Sequence, residues 1–155
     1  MPCYETALAA YQAENWAQAF ALLQRGAAAG ETDCYNLLAI CHEHGQGTAQ
    51  NCRQAVRWYR HAIRAGDPSA VSNLADLLNK AGKAQRAEYW YRRAANNGGD
   101  EKLAYAEFLL RQNPAPTPAV IRLLRQAAAR DIHTSKDAQA RAAEWLQRFQ
   151  AAHPF

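Results

Sequence analysis

The chain repeats itself, and that periodicity limits its possible folds more than any other feature. Four segments superpose: LLQRGAAAG from Leu22, WYRHAIRAG from Trp58, WYRRAANNG from Trp90 and LLRQAAARD from Leu123, at offsets of 36, 32 and 33 residues. A period in the thirties is the mark of a repeat architecture, in which each unit buries its apolar face against the next. Three places upstream of each segment stands Ala19, Ala55, Ala87 or Val120; downstream stand Gly26–Ala27, Ala62–Ile63, Ala94–Ala95 and Ala127–Ala128. The resulting i, i+3, i+4, i+7, i+8 spacing is a buried helical stripe.

A second kind of helix alternates with these. It carries Ala7, Leu8 and Tyr11, then Leu38, Ala39 and His42, then Leu74, Ala75 and Leu78, then Tyr105, Ala106 and Leu109. Small residues in these triplets let a neighbouring helix approach, and large ones such as Trp58, Tyr59 and Trp90 are expected to fill the space between layers. No stretch alternates with period two for long, so strands are not expected.

Breaks fall where helix hairpins need them. Gly30 and Gly66 follow the last apolar turns of their helices, as C-terminal glycines do. Asp67-Pro68 restarts a helix, with Asp as N-cap and Pro in the first turn. Residues 113–118, NPAPTP, form a rigid linker in which Thr117 caps and Pro118 opens the next helix. The pattern gives hairpins over about 4–30, 32–66, 67–98 and 100–130, then an amphipathic helix over about 134–152 that covers the open end of the stack. The expected fold class is all-α: a right-handed α–α superhelix of four hairpins plus a C-terminal cap, in one domain over residues 1–155.

Residues 38–66, LAICHEHGQGTAQNCRQAVRWYRHAIRAG, resemble a Sel1-like repeat, a relative of the tetratricopeptide repeat. The matching residues are Leu38, Gly45, Gly47, Ala55, Trp58, Tyr59, Ala62 and Gly66. Ala39, His42, Thr48, Asn51 and Gln54 depart from the family pattern. The flanking hairpins match its W-Y-x-x-A part, or a Leu-Leu variant, with shorter turns. The resemblance implies that the first helices of the hairpins line a concave groove. Mapped onto this chain, the groove positions are Asp33, Asn36, Ile40 and Glu43, then Ser69, Ser72, Asp76, Asn79 and Lys80, then Asp100, Leu103, Glu107, Leu110 and Arg111. They are acidic on balance, with amides and a few apolar spots. The resemblance also implies adaptor or scaffold work, so the expected role is a non-enzymatic module that binds a protein or peptide, basic in character.

The stretch CHEHGQGT, residues 41–48, looks like a metal site but does not space like one. A structural zinc site uses ligands at spacings such as C-x(2–4)-C with H-x(3–5)-H. His42 and His44 diverge on a helix, and Cys34 and Cys41 stand about 10 Å apart along one axis. His42 takes the place of a packing tyrosine, and no metal or cofactor is expected. One grouping stays open: Cys41 with Cys52 or His61 across the hairpin. The chain has four cysteines and an N-terminus, MPCYETALAAYQAEN, unlike a secretory signal, so free thiols in the cytosol are expected. A secreted branch of the family staples its turns with cysteines eight apart. The matching pairs here, Gly26/Cys34 and Ala62/Ala70, are not cysteine pairs, which implies a reduced protein.

No glycine loop of the phosphate-binding kind and no nucleophile elbow is present. Some family members are credited with activity on β-lactam-type substrates, but no nucleophile here supports a hydrolase. No apolar run approaches the ~18 residues of a membrane span. The formal charge is +4. Arg53, Arg57, Arg60 and Arg64 form one helical stripe, extended by Arg92/Arg93 and Arg122/Arg125 on later helices. A solvated outer face is the plain reading. The alternative is a basic track for an acidic protein or nucleic acid, nucleic acid being the weaker because no exposed aromatics interleave.

Overall fold

The computed structural model describes residues 2–129 and 134–152. Nine helices and no strand occur among them. They group into two compact units, one ending at Lys83 and one beginning at Ala84. That division falls inside the expected third hairpin, whose two helices lie in different units. The expected end of the fourth hairpin, Arg130, lies outside the described residues.

The first unit comprises α1 (Cys3–Gln12), α2 (Trp16–Ala28), α3 (Cys34–His44), α4 (Cys52–Arg64) and α5 (Ser69–Lys80). α1 packs on α2, α3 on α4, α2 on α3 and α4 on α5, and α5 also touches α3. Asn51 caps α4, its side chain accepting from the backbone N–H groups of Arg53 and Gln54, both at 3.1 Å. Asp67 accepts from Ser69 and Ala70 at 2.8 and 3.3 Å, the capping expected of it.

The second unit comprises α6 (Ala84–Ala94), α7 (Gly99–Gln112), α8 (Pro118–Ala128) and α9 (Lys136–Ala152). Thr117 Oγ1 accepts from the Val120 N–H at 3.3 Å, with Pro118 in the first turn of α8. α8 packs on α7 and on α9, and α9 also lies against α7. The core joins Leu103, Ala106 and Leu110 of α7, Val120, Leu124 and Ala127 of α8, and Ala138 and Ala142 of α9; Trp145, Leu146 and Phe149 pack against it. The final helix thus covers α7 and α8 as a cap does.

The second helix of each pair buries the same stripe: Ala19, Leu23 and Gly26 on α2; Ala55, Tyr59 and Ala62 on α4; Ala87, Tyr91 and Ala94 on α6; Val120, Leu124 and Ala127 on α8. The spacing is i, i+4, i+7, a line down one helix face. This corrects the expectation for the aromatic pairs. Trp58 and Trp90 are only half-buried, while Tyr59 and Tyr91 are 1% and 4% exposed. Successive residues on a helix point about 100° apart. Only one of each pair can face the neighbouring helix, and the tyrosine does. Tyr91 stacks on Phe108 with ring centroids 4.8 Å apart. Trp90 instead meets the exposed Tyr89 ring and the Arg93 guanidinium.

Candidate functional site

In the first unit, polar bonds tie the first helix of one repeat to the first helix of the next. Asn73 Nδ2 of α5 donates to Asn36 Oδ1 of α3 at 3.1 Å, and Lys80 Nζ donates to Glu43 Oε1 at 3.0 Å. Residues 36 and 43 are two turns apart, as are 73 and 80, so α3 and α5 run side by side in one register. The second unit repeats the device with other chemistry. Asp100 of α7 accepts from the Ser135 hydroxyl at 2.8 Å, beside the start of α9. Further along, Glu107 accepts from Arg141 at 2.6 Å and from Trp145 Nε1 at 3.4 Å.

These bonds revise the expected groove. Glu43 is not an open acid: it is 7% exposed, and its other oxygen accepts from the Tyr59 hydroxyl at 2.7 Å. Glu107 is taken by α9. Leu103 and Leu110 are core residues, 3% and 6% exposed, because both face α8 and α9. Asn36, Asn79, Ser72 and Ile40 are half-buried, and the Ser72 hydroxyl oxygen is buried with no hydrogen-bond partner. Asp33, Ser69, Asp76, Lys80, Asp100 and Arg111 are exposed. The family spacing places these positions on or just before the first helices of the hairpins, α3, α5 and α7, and several of them point sideways at the neighbouring repeat. Asn73, Arg141 and Trp145 were not anticipated. Their signal was there in part: each lies 34 to 38 residues beyond its partner, about one repeat length.

CHEHGQGT packs residue by residue. Cys41 is in the core with Leu23, Cys34 and Leu38, and burial pushes its thiol up to about 11. The His42 ring stands edge-on to Phe20 at 5.2 Å, its Nδ1 buried without a partner, and desolvation lowers its pKa. His44 is exposed, 3.8 Å from Glu43. Gly45 is the left-handed C-cap of α3. Gln46 Oε1 accepts from the Tyr11 hydroxyl at 2.8 Å, binding the stretch to α1. Gly47, at φ +71°, lies so close to α2 that a Cβ there would collide with the Trp16 carbonyl. Among the described residues no three His, Cys, Asp or Glu side chains are placed to hold a metal ion. Cys41 is fully buried while Cys52 is exposed, and the His61 ring lies near those of Tyr35 and Trp58.

All four arginines of the stripe, Arg53, Arg57, Arg60 and Arg64, are exposed on α4. With Val56 and His61 they line a shallow depression of about 300 Å³. None of the four forms an ion pair among the described residues. The second unit has its own basic cleft, about 280 Å³, where Arg92, Lys102 and Arg122 surround Tyr105.

The Sel1 repeat family matches residues 32–67 and 73–99. These two segments are Sel1 repeats. Solved structures share the fold, and two of them are representative. One is a Sel1 repeat protein from Oxalobacter formigenes, 23% identical over 93% of this chain and 61% of that one, TM-score 0.68. The other is c5321, a protective antigen present in uropathogenic Escherichia coli strains displaying an SLR fold, 25% identical over 72% of this chain and 25% of that one, TM-score 0.59. The chain thus spans less than two thirds of either protein. No curated protein matches it in sequence. Sel1 repeat proteins are generally protein-interaction modules, and the family is typically non-catalytic. Among the described residues no helix is long and apolar enough to cross a membrane.

Proposed function

We propose that the chain is a non-enzymatic interaction module that binds an extended, basic segment of a protein partner on the polar face of its first helices. One observation carries the reading: the exposed acids Asp33 and Asp76 flank the bonded pair Asn36–Asn73 across α3 and α5. Asp33 is one turn before Asn36, and Asp76 is one turn after Asn73. Carboxylates spaced along a surface lined with amides suit a peptide whose backbone bonds the amides and whose Lys or Arg side chains meet the acids. In the second unit, Asp100, Glu107 and Arg111 lie on the corresponding helix, α7, where Asp100 accepts from Ser135 and Glu107 from Arg141.

Selection of binders from a random peptide library tests this. Peptides rich in Lys and Arg are expected. Asp33→Lys with Asp76→Lys should release them at an unchanged melting temperature, while Arg57→Glu with Arg60→Glu should leave them bound. Acidic binders released only by the arginine reversals would overturn the reading.

That outcome would favour a second reading, an acidic partner on the arginine stripe of α4. Like charges at i, i+3 and i, i+4 each destabilise a helix by about 0.2–0.5 kcal/mol. The three such pairs among Arg53, Arg57, Arg60 and Arg64 are offset by no ion pair among the described residues. A bound acidic segment would supply the missing charge. Nucleic acid is the weaker candidate here, and a steep fall of affinity with salt would mark it.

A further inference from the structure

The start of α1 meets the start of α3 around a single carboxylate. Glu31 accepts from the backbone N–H groups of Cys3 and Tyr4, both at 3.1 Å, and the Cys34 thiol points at the same carboxylate, Sγ to Oε2 3.9 Å. Gly26 of α2 lets Cys3, Glu31 and Cys34 all approach α2 closely. A side chain there would collide with Cys34 Sγ and stand 3.1 Å from Cys3 Cβ. Two cysteines 31 residues apart in sequence therefore meet over the same face of Gly26. In a disulfide the two Cβ atoms come to 3.5–4.5 Å, and Cys3 and Cys34 already share both the Glu31 carboxylate and the Gly26 surface.

We infer that Cys3 and Cys34 form a reversible intramolecular disulfide by exchange with a low-molecular-weight disulfide, covalently stapling the start of α1 to the start of α3. Cys3 is the entry point because it is partly exposed in the first turn of α1, whereas Cys34 is fully buried. In the first step the Cys3 sulfur, as thiolate, attacks one sulfur of the external disulfide. A Cys3–S–S–R bond forms and one R–SH leaves with the proton. In the second step Cys34 sulfur attacks Cys3 sulfur. The Cys3–Cys34 bond forms, the second R–SH leaves, and the Cys34 proton departs by way of the Glu31 carboxylate that already accepts its hydrogen bond. Two thiols are oxidised and one external disulfide is reduced. Burial and the Glu31 charge hold the Cys34 thiol up at about 11, so the second step limits the rate and quickens as pH rises.

The staple would make the first hairpin's hold on α3 respond to the thiol–disulfide poise of its surroundings. It requires no cysteine at position 26. The test is incubation of the full chain with oxidised glutathione, then proteolysis without reduction and mass mapping. The expected product is a Cys3–Cys34 cross-linked peptide, formed faster at pH 9 than at pH 7. The exposed Cys52 should carry only glutathione, and Cys41 should stay free. Cross-linked chain should melt roughly 5 °C higher than reduced chain, and dithiothreitol should reverse the shift. Cys34→Ala should trap glutathione on Cys3, and Cys3→Ser should leave Cys34 unmodified. Wild-type chain that keeps glutathione on Cys3 with Cys34 free, that cross-links Cys3 to Cys52, or that reacts at neither Cys3 nor Cys34 overturns the proposal. The mapping on wild-type chain stands even where a variant folds poorly.

Discussion

The two units hold neighbouring repeats together by the same plan, a carboxylate that accepts from a cation and from an aromatic donor, set at different depths. In the first, the bond between α3 and α5 ends on a nearly buried carboxylate, Glu43, shared by Tyr59 and Lys80. In the second, the bond between α7 and α9 ends on Glu107, whose partner Arg141 is half in solvent. The helix-to-helix turns differ too. Between α3 and α4 the chain passes Gly45 and then Gly47, which is tucked against α2; between α7 and α8 it crosses the exposed NPAPTP linker. The comparison teaches that the apolar stripe at i, i+4, i+7 is what every repeat keeps. The polar bonds and turns are filled in locally with whatever closes the geometry.

The strongest way to break that comparison is to attack the shared stripe. Tyr59→Ala and Tyr91→Ala should each cost about 3–5 kcal/mol, since each empties a buried aromatic site. Trp90→Ala should cost clearly less, because its ring is only partly buried. Denaturant melts would read the order, and a costlier Trp90 would reverse the assignment of the stripe.

Next comes the turn that only the first unit has. Gly47→Ala should cost about 3 kcal/mol or more, adding a backbone collision with Trp16 to the strain of a left-handed residue. Gly66→Ala has the strain alone, since open space surrounds it, and should cost about 1–2 kcal/mol. Equal losses in thermal melts would mean that the close approach to α2 is relaxed in solution.

The polar bonds come third. Glu43→Ala leaves the buried Tyr59 hydroxyl without its acceptor and should cost about 2–3 kcal/mol. Glu107→Ala frees a half-exposed arginine and a tryptophan N–H, and should cost about 1 kcal/mol. Double-mutant cycles with Tyr59→Phe and Arg141→Ala would separate these couplings from general packing loss.

The repeat period, the capping residues Asp67 and Thr117 and the helix order were legible in the sequence because each rests on local rules. The buried stripe was half legible: its alanines were found, but the choice between Trp58 and Tyr59, or Trp90 and Tyr91, was not. Both residues of a pair are large and apolar, and helix phase decides between them only once the neighbouring helix is in place. The candidate site was the least legible part. Glu43 and Glu107 read as surface acids because their partners, Lys80 and Arg141, are one repeat away in sequence. The Cys3–Glu31–Cys34 cluster had no sequence signal beyond two cysteines about one repeat apart.

The smallest expected effect belongs to His42, where the first unit holds a polar ring in place of a packing aromatic. Desolvation lowers its pKa below the ordinary 6.5, so the folded chain favours the neutral ring and the unfolded chain binds the proton more readily. Stability from this site is therefore complete above pH 6.5 and falls as pH drops toward the lowered folded value. Glu31 acts at a lower pH. Hydrogen bonds from the backbone N–H groups of Cys3 and Tyr4 hold its pKa below the ordinary 4.5, so its contribution persists at neutral pH and is lost only on stronger acidification. Replacing the ring separates the two. His42→Phe removes a buried nitrogen that has no partner and keeps an edge-on ring against Phe20, so at pH 8 it should be nearly neutral in stability. Between pH 6.5 and 5 the variant should lose less stability than wild-type chain, and below pH 4.5 the two should fall in parallel. Identical profiles across the whole range would mean that the His42 ring reaches water in solution and packs less tightly on Phe20 than its edge-on contact implies.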